Sequence, residues 1–393
     1  MRKHIAVGID IGTYQVKVVV SESDPESERV MPRILGTGFA ESKGLRHGYI
    51  VNSRDVTRSV SQAVAQAEKA SGIKVKKAFI SIGGISLQSV TAVGSAVISR
   101  ADDEVSALDV DKATSAAERN IPASQTVNRK IIHTVPLSYK IDGKPVFGRP
   151  LGMKGNKLEA RVLFVTCLSQ HLDDLVDSIT DAGIEVLDVV ASPIAGSLVT
   201  LTKNQKVAGC LLANIGAETV SIVVYENNLP ISLEVFPIGS TDITNDIALG
   251  LKLPIEDAES LKRGSLSNSQ VSKKKLDEIV AARLWDIFDL IEAHLKKIDR
   301  SGLLPAGIII TGGGSGIATI EDLAKAALKL PSRIANMSVN GKEGIRDSSW
   351  SVAYGLTILG VGNEDTLETG SFGHGGGSHM AKAFFGWFKQ FMP

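Results

Sequence analysis

Residues 5–20 read IAVGIDIGTYQVKVVV. Apolar residues run almost unbroken on both sides of a short polar turn. That pattern suits a strand buried on both faces, a tight turn and a second strand. Asp10 stands where the first strand ends, and Gly12 and Thr13 follow in the turn. Gly12 lets a backbone come close to something bulky, and the turn amides can point at an anion. A carboxylate at the mouth can hold water on a magnesium ion, because hard cations take oxygen ligands and magnesium keeps most of its waters. The stretch fits a hairpin that grips phosphate. An Asp-Ile-Gly turn by itself also closes an ordinary β-hairpin, so a second signal is needed.

Residues 209–225, GCLLANIGAETVSIVVY, supply it. They repeat the form of residues 5–20: apolar strand, polar-Ile-Gly turn, then Thr and a β-rich strand. The chain thus carries an internal repeat spaced by about half its length. Two such halves facing each other make a nucleotide site from two phosphate hairpins, ATP-binding with Mg2+ held by Asp10 through water. The candidate residues of the first turn are Asp10, Gly12, Thr13, Tyr14, Gln15 and Lys17. Those of the second are Asn214, Gly216, Ala217, Glu218 and Thr219. A third element follows a buried strand at 307–311: Gly312, Gly313, Gly314 and Ser315, before a helix at 319–328. Without side chains there, a flat base can lie on the backbone and helix amides can face phosphate. Glu259 and Lys262 lie three apart on one helix face and can bracket a ribose and an adenine. The bland alternative is a solvated surface ion pair.

At 393 residues the chain is long enough for two or three domains with real cores. Its 43% hydrophobic and 22% charged content are those of a globular protein, and zero net charge gives no global argument for nucleic acid. Cys167 and Cys210 both sit in apolar runs, as small core residues of a reduced compartment do. The seven histidines show no metal spacing, and no Ser, Cys or His arrangement suggests a nucleophilic enzyme. No signal peptide is expected, since residues 1–4 lead into the first strand. No apolar stretch reaches the ~18 residues that span a bilayer. The expected location is cytoplasmic, with any membrane attachment by a lesser device.

Between these signals, residues 56–71 read as a helix stopped by Gly72, and 77–82 as a short strand. Residues 83–160 change texture: alternating strand-like runs flank a helix near 110–119, with an Asp142-Gly143 turn, as in a small α+β insertion. A strand at 159–166, a helix at 171–182 and a strand at 184–190 imply a right-handed crossover and a parallel pairing. Ser192-Pro193 opens a further helix. Helices follow at 238–251 and 254–263. Residues 264–275 read as a mobile Ser/Lys-rich loop. A long amphipathic helix occupies 276–298, and a last small-residue helix 349–362.

Residues 363–379 fill with Gly, Ser and acids and read as a flexible linker. The end of the chain, MAKAFFGWFKQFMP, is an amphipathic helix. Met380, Ala383, Phe384, Trp387, Phe388 and Phe391 recur at helical spacing, Phe385 adds to the aromatic content, and Lys382, Lys389 and Gln390 take the other side. That is the pattern of a helix lying in the plane of a membrane. One tail binds weakly, and many tails on one polymer bind well, because each attachment makes the next intramolecular.

Taken together these residues resemble the bacterial cell-division family FtsA, homologues of actin. The likeness rests on IDIGT (9–13), PLGMKGNKLEARV (150–162), DITNDIALGL (242–251), AESLK (258–262), ITGGGS (310–315) and the tethered tail. The resemblance implies an α/β, actin-like fold (the actin/Hsp70/sugar-kinase fold), two facing βα halves around a nucleotide cleft. It places subdomain 1A at 1–82 and 161–200, and an inserted SHS2-type subdomain 1C at 83–160. Subdomain 2A falls at 201–228 and 302–362, and subdomain 2B at 229–301. It implies a filament on the inner face of the cell membrane at the division septum that tethers FtsZ. Arg283 is implied as a contact for the FtsZ C-terminal peptide, and the insertion as the contact for later division proteins. The chain departs from the family at the second turn, which usually reads Asp-Ile-Gly-Gly-Gly-Thr. Asn214 loses the charge that would hold magnesium waters, and Glu218 adds an acid where a phosphate should lie. Nucleotide binding with slow or absent hydrolysis is the expectation. The rivals are an actin homologue like the pilus-assembly protein PilM, which lacks such a tail, and a small-molecule kinase of the same fold.

Overall fold

A computed structural model describes residues 4–23, 31–265, 272–337 and 347–362. The linker 363–379, the candidate membrane helix 380–393 and residues 266–271 of the Ser/Lys-rich loop lie outside the described residues.

The first half opens with β1 (His4–Ile11), β2 (Gln15–Ser23) and β3 (Arg33–Glu41). A two-stranded ribbon, β4 (Leu45–Arg46) and β5 (Tyr49–Ile50), leads to α1 (Ser53–Ser71) and β6 (Lys77–Ile82). The Asn52 side chain caps the start of α1, Gly72 in the left-handed region (φ 72°) ends it, and Val56, Val60, Ala63, Val64 and Ala67 form its buried face. After the insertion come α3 (Ser169–Thr180), β11 (Glu185–Ala191), α4 (Ser192–Thr200) and α5 (Lys203–Ala208). The second half holds β12 (Cys210–Ile215), β13 (Val220–Glu226) and β14 (Leu229–Phe236). Then follow α6 (Ser240–Leu251), α7 (Ile255–Lys262), α8 (Lys273–Lys297), β15 (Ile308–Thr311), α9 (Ile320–Leu328), β16 (Ser332–Ile334) and α10 (Ser351–Gly362).

The two sheets share one plan. The first runs β11-β6-β1-β2-β3 and the second, read the same way, β16-β15-β12-β13-β14. In each, a hairpin and a third strand are antiparallel, and the hairpin's first strand pairs in parallel on its other side. The hairpins even close in the same register. Ile11 faces Val16 and Ile215 faces Val220, so each turn is four residues long, 12–15 and 216–219. The expected internal repeat is therefore a repeat of structure.

The insertion is a four-stranded sheet of order β7-β10-β8-β9, built from β7 (Gln88–Val97), β8 (Arg129–Ile141), β9 (Lys144–Val146) and β10 (Lys157–Leu168), with α2 (Ala107–Arg119) on one face. This corrects two expectations. The strand expected at 159–166 does not pair in parallel with the one after α3; it lies antiparallel between β7 and β8, and β11 pairs in parallel with β6 instead. The inserted sheet therefore runs on to Leu168 instead of stopping at 160. The apolar run in β10 is buried on both faces, Leu158, Ala160, Val162 and Phe164 against α2 and Leu163, Val165 and Cys167 in the first half's core, and a central antiparallel strand so buried reads like a parallel one. A third difference is that α8 starts at Lys273, inside the expected loop, since lysine is a good helix former.

Each half has a core, and they are joined by two helices and by β14, whose Leu233 and Val235 are buried in the first half's core and whose Leu233 backbone bonds Ser89 Oγ of β7 at 2.8 Å. Gly355 of α10 packs on α4 so closely that a Cβ there would lie 1.9 Å from the Ala195 carbonyl oxygen. Likewise a Cβ on Gly8 would lie 2.2 Å from the Ala353 oxygen. The small residues of α10 are a steric requirement of this crossing. In the second core, α8 buries Val280, Leu284, Ile287, Phe288, Ile291 and Leu295, each side chain contributing about 1.5–3 kcal/mol. His294 is buried beside them, 2.8 Å from Ser232 Oγ, and burial pushes its pKa down to about 4. A base held neutral by the fold and free to protonate when unfolded favours unfolding below its ordinary pKa. Stability is therefore expected to fall as pH drops from about 6.5 towards 4, by up to about 3 kcal/mol from this residue. Urea midpoints across that range test this, and His294→Gln should flatten the decline.

Candidate functional site

At the first turn, Asp10 and Lys17 face each other across the hairpin. Asp10 accepts a hydrogen bond from Ser81 Oγ at 2.8 Å, and the same hydroxyl accepts from the Ile11 amide at 3.3 Å. Burial raises the Asp10 pKa, while Lys17 and Ser81 work against that rise. Lys17 donates to the Ser349 carbonyl at 3.0 Å and lies 5.8 Å over the Trp350 ring. Burial lowers its pKa, opposed by Asp10 and Asp347. The pair is thus a partly desolvated carboxylate beside a partly desolvated ammonium, the setting in which charge acts most strongly.

The second turn is the seat of α6. The Ser240 and Thr241 amides donate to the Gly216 and Ala217 carbonyls at 2.9 and 2.8 Å, which satisfies helix-start N–H groups. Gly239 has to be glycine, since a Cβ would sit 2.2 Å from the Ala217 oxygen. Asn214 is the register equivalent of Asp10 and lies beside Thr311 of β15. Glu218 does not stand alone in the cleft: its carboxylate accepts the His47 backbone amide at 2.5 Å, from the other half.

Glu259 and Lys262 bond each other at 2.7 Å, and the Lys262 side chain is only 9% exposed, so the pair is not a solvated surface one. Thr244 Oγ1 donates to Glu259 and accepts from Lys262, which also donates to the Ser240 carbonyl at 2.9 Å. Burial pushes the Glu259 pKa up, but the bonds from Lys262, Thr244 and Arg263 outweigh it and hold it at about 2. Arg263 bonds Glu259 at 2.6 Å and donates to the Tyr14 hydroxyl at 3.2 Å. The network ties α7 to α6 and both to the first turn.

The glycine triplet divides its work. Gly312 has φ 89°, and a Cβ on it would lie 2.3 Å from Asn214 Oδ1. Gly314 packs on Ile215, and Ser315 is buried with its hydroxyl on the Gly312 carbonyl at 2.7 Å. Gly313 alone of the three faces open space, with nothing within 4 Å of a Cβ position. Ser315 thus shapes the turn from within, and Gly313 offers the bare backbone.

Arg283 stands apart from this network. It holds Asp246 of α6 through two bonds of 2.6 and 3.0 Å. The membrane candidates Met380, Phe384, Phe385, Trp387, Phe388, Phe391, Lys382 and Lys389 lie outside the described residues. Sequence reasoning missed Ser81, His47, Thr244 and Arg263. Only His47 carried a signal, a His-Gly pair at a turn, and it adopts φ 48°.

A family model described as "Cell division protein FtsA" matches residues 211–355, and one for the "SHS2 domain inserted in FTSA" matches 84–166. The cell division protein FtsA of Pseudomonas aeruginosa is 30% identical over 379 residues, covering 90% of this chain and 89% of its own. The chain belongs to the FtsA family. The FtsA of Neisseria meningitidis is also 30% identical, over 97% of both chains. Among solved structures, a PilM-PilN type IV pilus biogenesis complex aligns with TM-score 0.68 and 17% identity over 91% of this chain and 98% of that one. MreB5 of Spiroplasma citri bound to ADP aligns with TM-score 0.55 and 12% identity over 93% and 99%. These two share the fold alone, and the fold is the actin-like one expected.

The glycine geometry separates fold from site. Gly312→Ala, strained in φ and in contact, should cost about 1–3 kcal/mol in chemical denaturation. Gly313→Ala should leave the midpoint within experimental error.

Proposed function

We propose that this family member binds ATP with Mg2+ between its two hairpin turns, polymerises on the cytoplasmic face of the membrane and tethers FtsZ at the division septum. The observation that carries the nucleotide reading is the pair of register-equivalent turns at one cleft, with the open backbone of Gly313 beyond the second. Asp10, held by Ser81 and opposed by Lys17, suits a magnesium ion bound through water. Lys17 and the turn amides suit phosphate, and Glu259 and Lys262 suit the nucleoside end. With Asn214 where the repeat would put a second carboxylate, turnover is expected to be slow. Rapid ATP hydrolysis by the unaltered protein, lost in Asp10→Ala, would contradict this.

Family membership supports the membrane and partner roles. Among the described residues no helix is long and apolar enough to cross a membrane, and the amphipathic sequence pattern of 380–393 is the proposed means of attachment. The test is co-sedimentation with anionic liposomes and ATP, comparing the full chain with one ending at Asn363, followed by electron microscopy. Filaments pelleting on lipid only with the full chain are expected; equal behaviour of both forms refutes the membrane role. The FtsZ C-terminal peptide is proposed to dock at Arg283, and the insertion to meet later division proteins. Because Asp246 already occupies Arg283, Asp246→Asn should strengthen peptide binding and Arg283→Ala should weaken it about tenfold in a fluorescence titration.

A further inference from the structure

Each turn sends its third residue across the cleft. In the first turn that residue is Tyr14, half exposed, whose hydroxyl accepts from Arg263 at 3.2 Å while the guanidinium lies 5.7 Å over its ring. In the second it is Glu218, whose carboxylate accepts the His47 amide at 2.5 Å and whose backbone oxygen lies 3.2 Å from His47 Nδ1. Both residues stand two places after a turn glycine, and the glycines sit alike. A Cβ on Gly12 would lie 3.0 Å from the Gln15 oxygen, and one on Gly216 2.9 Å from the Thr219 oxygen. The two contacts are therefore related by the internal repeat and run in opposite directions, one from the first half to the second and one back.

We propose that Tyr14–Arg263 and Glu218–His47 are paired latches that hold the halves closed on each other, and that nucleotide exchange requires both to release. The second clause rests on the nucleotide reading above; the first does not. Both contacts are made at turn tips, outside the two hydrophobic cores, so each can break without unpacking either half. An exposed contact of the Tyr14–Arg263 kind shifts an equilibrium about two- to fivefold. A hydrogen bond to an ionised carboxylate, as at Glu218, is worth about tenfold or more. The closed form is then favoured, and opening stays within thermal reach. His47 has a second attachment. Its carbonyl accepts the Ile85 amide at 3.2 Å, and Gly48 beside it touches Gly84, where the chain enters the insertion. His47 thus connects Glu218 to the root of the inserted sheet.

The test places spin labels on cysteines introduced at Arg58→Cys in α1 and Asp257→Cys in α7 of the full chain. The native Cys167 and Cys210 are buried and burial pushes their thiols up to about 12, so they do not take the label. Distances between the labels are read by pulsed electron resonance without nucleotide. The unaltered protein should give one narrow population. Tyr14→Phe and Glu218→Ala should each add a longer one, and the double variant more than either. Unchanged urea midpoints will show that the fold is intact. One distribution shared by all four proteins overturns the latches. Release of a fluorescent ADP should quicken about two- to fivefold in Tyr14→Phe and about tenfold in Glu218→Ala. Altered distances with unaltered release overturn the gating clause. Altered distances with no nucleotide bound by any protein overturn the nucleotide reading and leave the latches standing.

Discussion

The backbone contact between Gly355 and Ala195 is the constraint on which the rest depends. Each half of the molecule builds most of its own apolar core, and β14 of the second half adds Leu233 and Val235 to the first. What makes one cleft out of two sheets is the close crossing of α4 and α10. That crossing tolerates only hydrogen at Gly355, where a Cβ would fall 1.9 Å from a carbonyl oxygen. Interiors packed this densely transmit strain instead of absorbing it. The crossing therefore joins the two halves at the base of the cleft, and the contacts at the turns bridge its mouth.

On that frame the polar groups divide by half. The first turn carries charge, Asp10 against Lys17, both partly desolvated. The second carries an amide at the equivalent place and sends its acid, Glu218, to a backbone amide of the other half. A carboxylate so engaged is a weaker obstacle to a phosphate than a free one. On the proposed nucleotide reading, the Asn214 change bears on the metal side of the chemistry more than on the binding side.

Much of this was legible in the sequence. The two hairpins were, because unbroken apolar runs around a Gly turn have few other outcomes, and their repetition at half the chain length excluded coincidence. They pointed to two facing halves, and the family resemblance supplied the fold class. The strand at 157–168 was misassigned because burial, not pairing direction, sets its composition. The strand at 33–41 drew no expectation, since its glycines at 36 and 38 are there to admit α1 and mask its β character. At the site, turn residues could be found by spacing. Ser81 and Arg263 could not, because their partners Asp10 and Tyr14 lie 71 and 249 residues away in sequence; Thr244 could not, because it meets Glu259 and Lys262 only once α6 and α7 pack together. Glu259 and Lys262 were found, with an ion pair between them as the alternative reading, while the burial of that pair and the shared Thr244 were not legible.

The central claim is that the two turns and the open glycine form one nucleotide site. Photo-crosslinking with azido-ATP, followed by mapping of the labelled peptides, tests it most directly. The account predicts label on the peptide holding Gly312–Gly314 or on that holding Glu259 and Lys262, displaced by unlabelled ATP. Label confined to the insertion or to the outer face of α8, or none that ATP displaces, would contradict it.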